Sequence, residues 1–248
     1  MWTEFGSYRN RPRTRSLEPW IIHNRKTGGA DRKAAGKWRE FLDFVHKFGS
    51  RNRIWRGVAS GNHTLRPSIA RRNYDPASEK GLFTEFRRRA RQFADTHLFS
   101  DWDLIALAQH HGLPTRILDW TYNPLVAAYF AVTSMPNGHE GRVTCILEPL
   151  HVDSFREPDP FAVSDVMLFE SDIVSPRIVA QEGVFTVHPK PFGRAWIVPK
   201  SLDRQDFAIE ARYKRYFKEQ LAIMGIDAAH MLTDIDGLCR SIKERYDG

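Results

Sequence analysis

Hydrophobic side chains recur at helical spacing through the first half of the chain. Residues 38–48 place Trp, Phe, Leu and Val every three or four positions, with charged residues between them and Gly49 at the end. This spacing predicts an amphipathic helix. Residues 79–93 and 101–111 repeat the pattern and predict two further helices. Between the first two helices, residues 53–58 predict a short strand that enters a loop.

The pattern changes in the middle of the chain. Residues 113–121 are too short and too closely bounded by proline to form a helix, and they predict a strand followed by a polar turn. Asn123 before Pro124 is the pair expected at the start of a helix. Residues 125–132 are nearly all apolar and include small alanines, which predicts a tightly packed, buried helix. Such an arrangement holds side chains rigidly at a strand end, where sites are often built.

The second half is rich in β-branched residues separated by Pro and Gly, which favours strands, and it ends in amphipathic stretches. The predicted elements are strands at 142–147, 171–187 (with a break at Gly183) and 195–198, followed by helices at 203–224 and 235–246. Helices first, then mostly strands, then helices again indicate an α+β fold rather than a repeating βαβ order. We therefore predict a single domain at 36–248, preceded by an arm at 1–35.

The positive charge is concentrated in that arm. Eight basic and three acidic side chains in residues 1–35 account for +5 of the formal +7, and the rest of the chain is close to neutral. A uniformly basic body built to wrap nucleic acid is therefore excluded. Two interpretations of the arm stay open: a solvated tail, or an electrostatic contact with nucleic acid or an acidic partner.

Cysteine content and hydropathy bear on the compartment. Cys145 and Cys239 are too few and too far apart for a disulfide scaffold or a cysteine zinc site. The longest apolar stretch, 125–132, is far shorter than the ~20 residues that cross a bilayer, and no signal-peptide hydrophobic region follows the N-terminal charges. We expect a cytoplasmic protein with no membrane partner and no metal cofactor.

The densest group of chemically active residues lies at 109–124. Its candidate binding residues are Gln109, His110, His111, Thr115, Arg116, Trp120, Thr121 and Asn123. Adjacent histidines on a helix point ~100° apart, so a two-histidine metal site is not expected, and one of them serving as a capping or core residue is the simpler interpretation. On an extended segment, Asp119 faces away from Arg116 and Trp120. Arg116 and Asp119 belong either to a polar wall that contacts a ligand or to buried structural ion pairs.

Two further groups flank this segment. Trp55-Arg56-Gly57 places an arginine after an aromatic residue at a strand end, with a glycine that permits close backbone approach, and it is followed by Arg66 and Ser68. An arginine in that setting suits a phosphate or carboxylate clamp. Residues 177–185 place polar groups at a bulge in a predicted strand.

Taken together, these motifs resemble a known family. Their order is Trp55-Arg56-Gly57, Leu65-x-Pro67-Ser68, the segment 109–124 with its Ala-, Tyr- and Phe-containing continuation, and Gln181-x-Gly183-x-Phe185. This order resembles the FRG domain, named after an aromatic-Arg-Gly triplet, over about residues 38–190. Residues 234–238 also resemble the ending seen near the end of such proteins.

The resemblance implies a fold and a set of roles. The motif order of FRG domains is similar to that of the ADP-ribosyltransferase fold, a mixed or antiparallel sheet flanked here by N- and C-terminal helices. By that likeness Arg56 and Gly57 bind the NAD diphosphate or ribose, and the segment 115–121 lines the nicotinamide pocket, with Asp119 or Thr121 nearest the nicotinamide. The strand that carries Gln181 supplies the group facing the nicotinamide ribose.

The sequence departs from the transferase pattern at the catalytic position. Gln181 stands where a transferase Glu is expected, and Glu182 is adjacent but points to the opposite face unless a bulge at Gly183 turns it inward. Cleavage of the nicotinamide bond develops positive charge on the ribose, which a carboxylate stabilises and a neutral amide does not. The candidate catalytic residues are therefore Gln181, Glu182 and Asp119.

Three functions follow as alternatives. The first is an enzyme that uses NAD to modify a macromolecular acceptor or hydrolyses NAD, as a bacterial toxin or defence effector. The second is a non-catalytic module on the same fold that binds a nucleotide or nucleic acid, with the arm adding salt-dependent affinity. The third is a hydrolase or nuclease that uses His110 or His111 with Asp119, for which the sequence offers no obvious nucleophile.

Overall fold

The computed structural model describes nine parts of the chain. These are residues 29–60, 64–71, 75–93, 96, 99–133, 138–154, 156–172, 176–189 and 195–246. The described helices are α1 (Gly29–Phe48), α2 (Glu79–Ala90), α3 (Asp101–His110), α4 (Pro124–Thr133), α5 (Pro176–Ala180), α6 (Lys214–Ile223), α7 (Ala228–Leu232) and α8 (Ile235–Tyr246). The described strands are β1 (Arg53–Val58), β2 (Ile117–Thr121), β3 (Gly141–Leu147), β4 (Met167–Phe169), β5 (Gly183–Val187) and β6 (Gln205–Ile209).

All six strands form one antiparallel sheet in the order β4-β5-β2-β1-β3-β6. Strand β1 pairs with β3 along its whole length, from Arg53 opposite Leu147 to Val58 opposite Arg142. Strand β2 is likewise fully paired with β5. In contrast, β1 and β2 are paired only at Trp55 and Thr121. The sheet therefore consists of two well-paired halves that meet at a narrow central junction.

Helices cover one face of this sheet in two separate groups. Trp55 of β1 and neighbouring residues of β3 and β6 pack against α1, α4 and α6. On the other half, Phe185 of β5 and Ile117 of β2 pack against α2 and α3. The opposite face buries Ile54 and Leu118, with Leu65 and Trp196 packed over them. Helices and an antiparallel sheet in these layers confirm the predicted α+β class.

Close approach of α4 to the sheet depends on Gly57. A Cβ atom at this position would lie 1.7 Å from the carbonyl oxygen of Ala127 and 2.9 Å from the amide nitrogen of Ala131. Val126, Ala127, Ala128 and Ala131 are almost fully buried, as the apolar pattern at 125–132 predicts. Glycine on the strand and alanines on the helix thus bring the two backbones together.

Eight predicted elements are confirmed and three need correction. The strands predicted at 113–121 and 142–147 and the helix at 235–246 match β2, β3 and α8. The helices predicted at 38–48, 79–93, 101–111 and 125–132 and the strand at 53–58 match α1, α2, α3, α4 and β1. The strand predicted at 171–187 is wrong: it contains helix α5, which begins at Pro176, a residue favoured at the first helical position. Only its last part, from Gly183, is strand β5.

The other two corrections concern the C-terminal third. Residues 195–198 form no strand, because they lie over the sheet face, where the Trp196 amide donates to the Leu65 carbonyl at 2.7 Å. The helix predicted at 203–224 begins only at Lys214, since Phe207 and Ile209 alternate with more exposed residues in strand β6. That alternation has the period of a strand and overrides the helical spacing of Ile209 with later residues.

The N-terminal boundary also differs from the prediction. Helix α1 includes residues 29–35, and Ala34 is buried in the core. The end of the predicted arm at residue 35 therefore lies inside a helix. Residues 1–28 lie outside the described residues.

Candidate functional site

A cleft of about 310 Å³ opens where β1 and β2 separate. Its lining residues come from both halves of the sheet and from the helices around the junction. They are Trp55, Arg56, Gly57, Gln109, His110, Asp119, Trp120, Thr121, Phe130, Arg177 and Gln181. The volume is at the lower end of the range of small-molecule sites, and the mixture of aromatic and polar residues is typical of them.

Arg56 bridges the junction from the β1 side. One of its terminal nitrogens donates to the backbone carbonyl of Asp119 and lies 3.9 Å from the Asp119 carboxylate. Its Nε is buried and has no hydrogen-bond partner within the described part of the chain. Burial lowers the pKa of this guanidinium, and Asp119 partly opposes that effect. Arg56 therefore offers the cleft a strong donor in a setting of reduced solvation.

Asp119 contributes the carboxylate of the cleft. It is the one acidic residue in the described lining, and its side chain is 62% exposed. The side-chain amide of Gln109 donates to its Oδ1 at 2.6 Å, while the carbonyl of the same amide accepts a hydrogen bond from Thr115. Gln109 thus fixes Asp119 relative to the C-terminal end of α3. The position of the carboxylate is set by packing, since Thr115 is buried and its backbone amide donates to Ser68 at 2.9 Å.

His110 lies beside these groups at the end of α3. The pKa of its imidazole is lowered by burial first, then by the positive charges of Arg177 and His111, whereas Asp119 acts in the opposite direction. His110 is consequently neutral near pH 7 and presents one N–H donor and one acceptor. The His111 ring meets it edge-on at 5.0 Å, but His111 is exposed and does not line the cleft.

A buried hydrogen-bond chain holds Trp120, one of the aromatic residues in the cleft lining. The indole nitrogen of Trp120 donates to the Thr186 hydroxyl at 2.9 Å, and that hydroxyl lies 3.1 Å from Nε2 of His188. Burial, together with Arg56 and Arg116, lowers the pKa of His188 to about 3. His188 is therefore neutral, and its Nε2 lies within hydrogen-bond distance of the Thr186 hydroxyl that holds Trp120.

The two candidate catalytic residues before β5 have other partners. The amide of Gln181 lines the cleft but donates to the Met231 carbonyl at 2.9 Å. Glu182 adopts a left-handed conformation (φ +46°), and its carboxylate accepts a hydrogen bond from the Asn123 side chain at 2.9 Å. Glu182 is not among the described lining residues. The turn before Gly183 thus directs its carboxylate toward the start of α4 rather than toward Arg56.

Thr121 and Asn123 organise the strand end. The Thr121 hydroxyl donates to the Gln181 carbonyl at 2.6 Å and accepts the Asn123 amide at 3.0 Å. The Asn123 side-chain oxygen accepts the Leu125 amide at 2.9 Å, which satisfies a free donor of α4. Thr121 lines the cleft, whereas Asn123 caps the helix behind it.

Six of the predicted binding residues are outside the described cleft lining: His111 and Asn123, placed above, and four others. Arg116 is buried and forms an ion pair with Glu79 at 2.8 Å, with further hydrogen bonds to backbone carbonyls of Phe161 and Pro189. This is the structural ion pair that the sequence left as an alternative. Thr115 and Ser68 brace the segment before β2, and Arg66 is half-buried within residues 64–71, outside the lining set.

The cleft also contains residues that the sequence did not single out. Arg177 enters it from α5, and Phe130 enters it from α4. The signal for Arg177 was Pro176: a helix starting there brings residues 177 and 181 to one side, one turn apart. Because residues 171–187 were predicted to form a strand, the closeness of residues 177 and 181 was not predicted.

Among the described residues, no group of three or more His, Cys, Asp or Glu side chains is placed to hold a metal ion. Within the same residues, no helix combines the length and apolar character needed to span a membrane.

The fold and cleft define an α+β protein with a polar and aromatic site at the central junction of an antiparallel sheet. Residues 51–140 match the model of the FRG domain, which supports the resemblance found in the sequence motifs. The matched region includes β1, the segment 109–124 and α4, and it ends before Gln181. Neither the curated proteins nor the solved structures contain a match to the chain.

Proposed function

We propose that the protein is an ADP-ribosyltransferase-like enzyme that binds NAD in the β1–β2 cleft and transfers ADP-ribose to a macromolecule or to water. The observation that carries the proposal is the pairing of Arg56 with Asp119 across the open junction. A guanidinium and a carboxylate in one cleft of this size suit a ligand that carries phosphate and develops positive charge during reaction.

The arrangement of strands supports the same proposal. The transferase likeness assigns roles to a first strand with an arginine, a second strand that leads into an alanine-rich helix, and a later strand near the catalytic group. In this chain these are β1, β2 followed by α4, and β5, which are consecutive neighbours in the sheet. Residues that are distant in sequence are therefore adjacent around one cleft.

Asp119 is the proposed catalytic carboxylate. In the reaction the bond between nicotinamide and ribose C1′ breaks, its electron pair leaves with nicotinamide, and water or an acceptor nucleophile bonds to C1′ and loses a proton. The ribose carries positive charge while the bond breaks, and a carboxylate stabilises that charge. Asp119 is held by Gln109 and faces the cleft, whereas Glu182 is held by Asn123 outside it.

The experiment compares these two acids directly. Purified protein is incubated with labelled NAD, with and without cell extract, and both nicotinamide release and label transfer are measured. We expect Asp119→Asn to slow the reaction by ~10² or more, and Glu182→Gln, the matched control, to retain most of the activity. Equal loss in both variants, or loss in Glu182→Gln alone, would remove Asp119 from this role.

A non-catalytic nucleotide-binding module is the second candidate. It is favoured by one observation: the Gln181 amide donates to Met231, so the residue at the expected catalytic position is occupied by a structural contact. NAD binding by the wild-type protein, with neither nicotinamide release nor transfer of label, would support this function over the enzyme.

A further inference from the structure

Arg177 places a positive charge in the cleft. It is half-buried on α5, and no carboxylate pairs with it within the described part of the chain. The one acidic side chain in the lining, Asp119, accepts a hydrogen bond from Gln109 and lies 3.9 Å from Arg56. The one carboxylate in the described lining therefore already interacts with Gln109 and Arg56, and the lining carries a net positive charge.

The neighbours of Arg177 favour an anion rather than a cation. His110 interacts electrostatically with Arg177, and this interaction contributes to keeping the imidazole neutral. A neutral imidazole beside a guanidinium still offers an N–H donor. Arg56 adds a buried Nε without a partner in the described residues. The described lining thus contains two guanidinium groups and one carboxylate, a balance that favours phosphate.

We propose that Arg177, with His110 beside it, forms a subsite that binds a phosphate group of the nucleotide. This inference rests on the proposed function, because it takes the ligand of the cleft to be NAD. It adds a residue that neither the motif order nor the family match assigns, since residues 51–140 end well before α5. Arg56 on β1 and Arg177 on α5 then both contact the ligand in the cleft.

The subsite is tested with two ligands that differ by one phosphate. Nicotinamide mononucleotide and nicotinamide riboside are titrated by calorimetry into the full-length wild-type protein and into Arg177→Gln, Arg177→Lys and Arg215→Gln. Arg215 is the matched control, because it is an exposed arginine paired with Glu219 on α6 and its loss changes the net charge equally. Thermal melting checks that every variant is folded.

We expect Arg177→Gln to weaken mononucleotide binding about tenfold or more and to leave riboside binding unchanged. Arg177→Lys should retain part of the affinity, and Arg215→Gln should bind like the wild type. Equal weakening for both ligands, or no weakening for either, would overturn the subsite while leaving NAD binding intact. Pyrophosphate is titrated in parallel. If the wild type binds pyrophosphate through Arg177 but binds neither NAD nor the mononucleotide, the anion subsite stands and the proposed function fails.

Discussion

Close packing by neighbouring groups constrains two individual residues near the cleft, Gly57 and His188. Gly57 has the α4 backbone against its Cα, and His188 is enclosed beside Arg56 and Arg116. Gly57 lines the cleft with backbone only, and His188 is not among the described lining residues. The stability of variants at these two positions therefore tests the structure that supports the cleft.

Gly57→Ala should destabilise the protein by about 3 kcal/mol or more, because its Cβ would overlap the Ala127 carbonyl. Gly36→Ala is the control, since nothing lies within 4 Å of the added Cβ on helix α1. That substitution should leave the free energy of unfolding unchanged or raise it by about 0.5–1 kcal/mol. Urea unfolding of the three proteins measures both effects. Similar stabilities for the two variants would refute the close approach of α4.

His188 should make the protein acid-sensitive. Its pKa is about 3 when folded, against an ordinary value of 6.5, so the unfolded state binds the proton first as pH falls. The stability contribution is complete above pH 6.5 and is lost progressively as pH falls toward 3, with about 2 kcal/mol of the loss between pH 7 and pH 5. His188→Gln, which keeps an acceptor for Thr186, should lose about 2 kcal/mol less over that interval. Parallel pH profiles in urea unfolding would contradict this.

At the scale of elements, α3 connects folding to the site. Its N-terminus has a capping box: the Ser100 hydroxyl accepts the Asp103 amide at 3.1 Å, and the Asp103 carboxylate accepts the Ser100 amide at 3.1 Å. Its C-terminus carries Gln109 and His110 into the cleft. The geometry around Asp119 thus depends on a helix that is fixed at its far end.

Ser100→Ala should lower the free energy of unfolding by about 1 kcal/mol, because it removes the side-chain acceptor at the helix start. Ser78 precedes α2 without a side-chain capping bond and donates instead to the Asp75 carbonyl at 2.7 Å. Ser78→Ala is therefore expected to change stability by less than about 0.5 kcal/mol. The prediction fails if denaturant unfolding gives the same loss for both serines.

The local parts of this molecule were more predictable than its long-range contacts. Helical spacing predicted α1 to α4, and the motif residues Arg56, Gln109 and Asp119 do line one cleft. The direction of the Glu182 carboxylate depends on a positive φ at that residue. Arg116 lies away from the cleft because it pairs with Glu79, which is 37 positions away in the sequence. Neither the positive φ nor the distant ion pair produces a periodic pattern in the sequence. Strand β6 was missed because Ile209 also has helical spacing with the later apolar residues at 213, 216 and 217.

In the whole molecule, most of the formal positive charge lies in the predicted arm at 1–35, whereas the residues that line the cleft lie between positions 55 and 181. A deletion through residue 35 would remove Ala34 from the core, so the tested deletion ends at residue 28, before the first described residue of α1. Deletion of residues 1–28 should weaken binding to nucleic acid or an acidic protein, and more so at low salt, while NAD affinity stays the same. Binding assays at two salt concentrations measure this. Loss of NAD affinity in the shortened protein would show that the arm contributes to the cleft.

The proposed function depends on NAD binding in the β1–β2 cleft through Arg56. Calorimetric titration of NAD into the wild-type protein and into folded Arg56→Ala tests this directly. We expect saturable binding at one site per chain in the wild type and affinity weaker by about tenfold or more in the variant. Absence of NAD binding in the wild type, or unchanged affinity in Arg56→Ala, would contradict it.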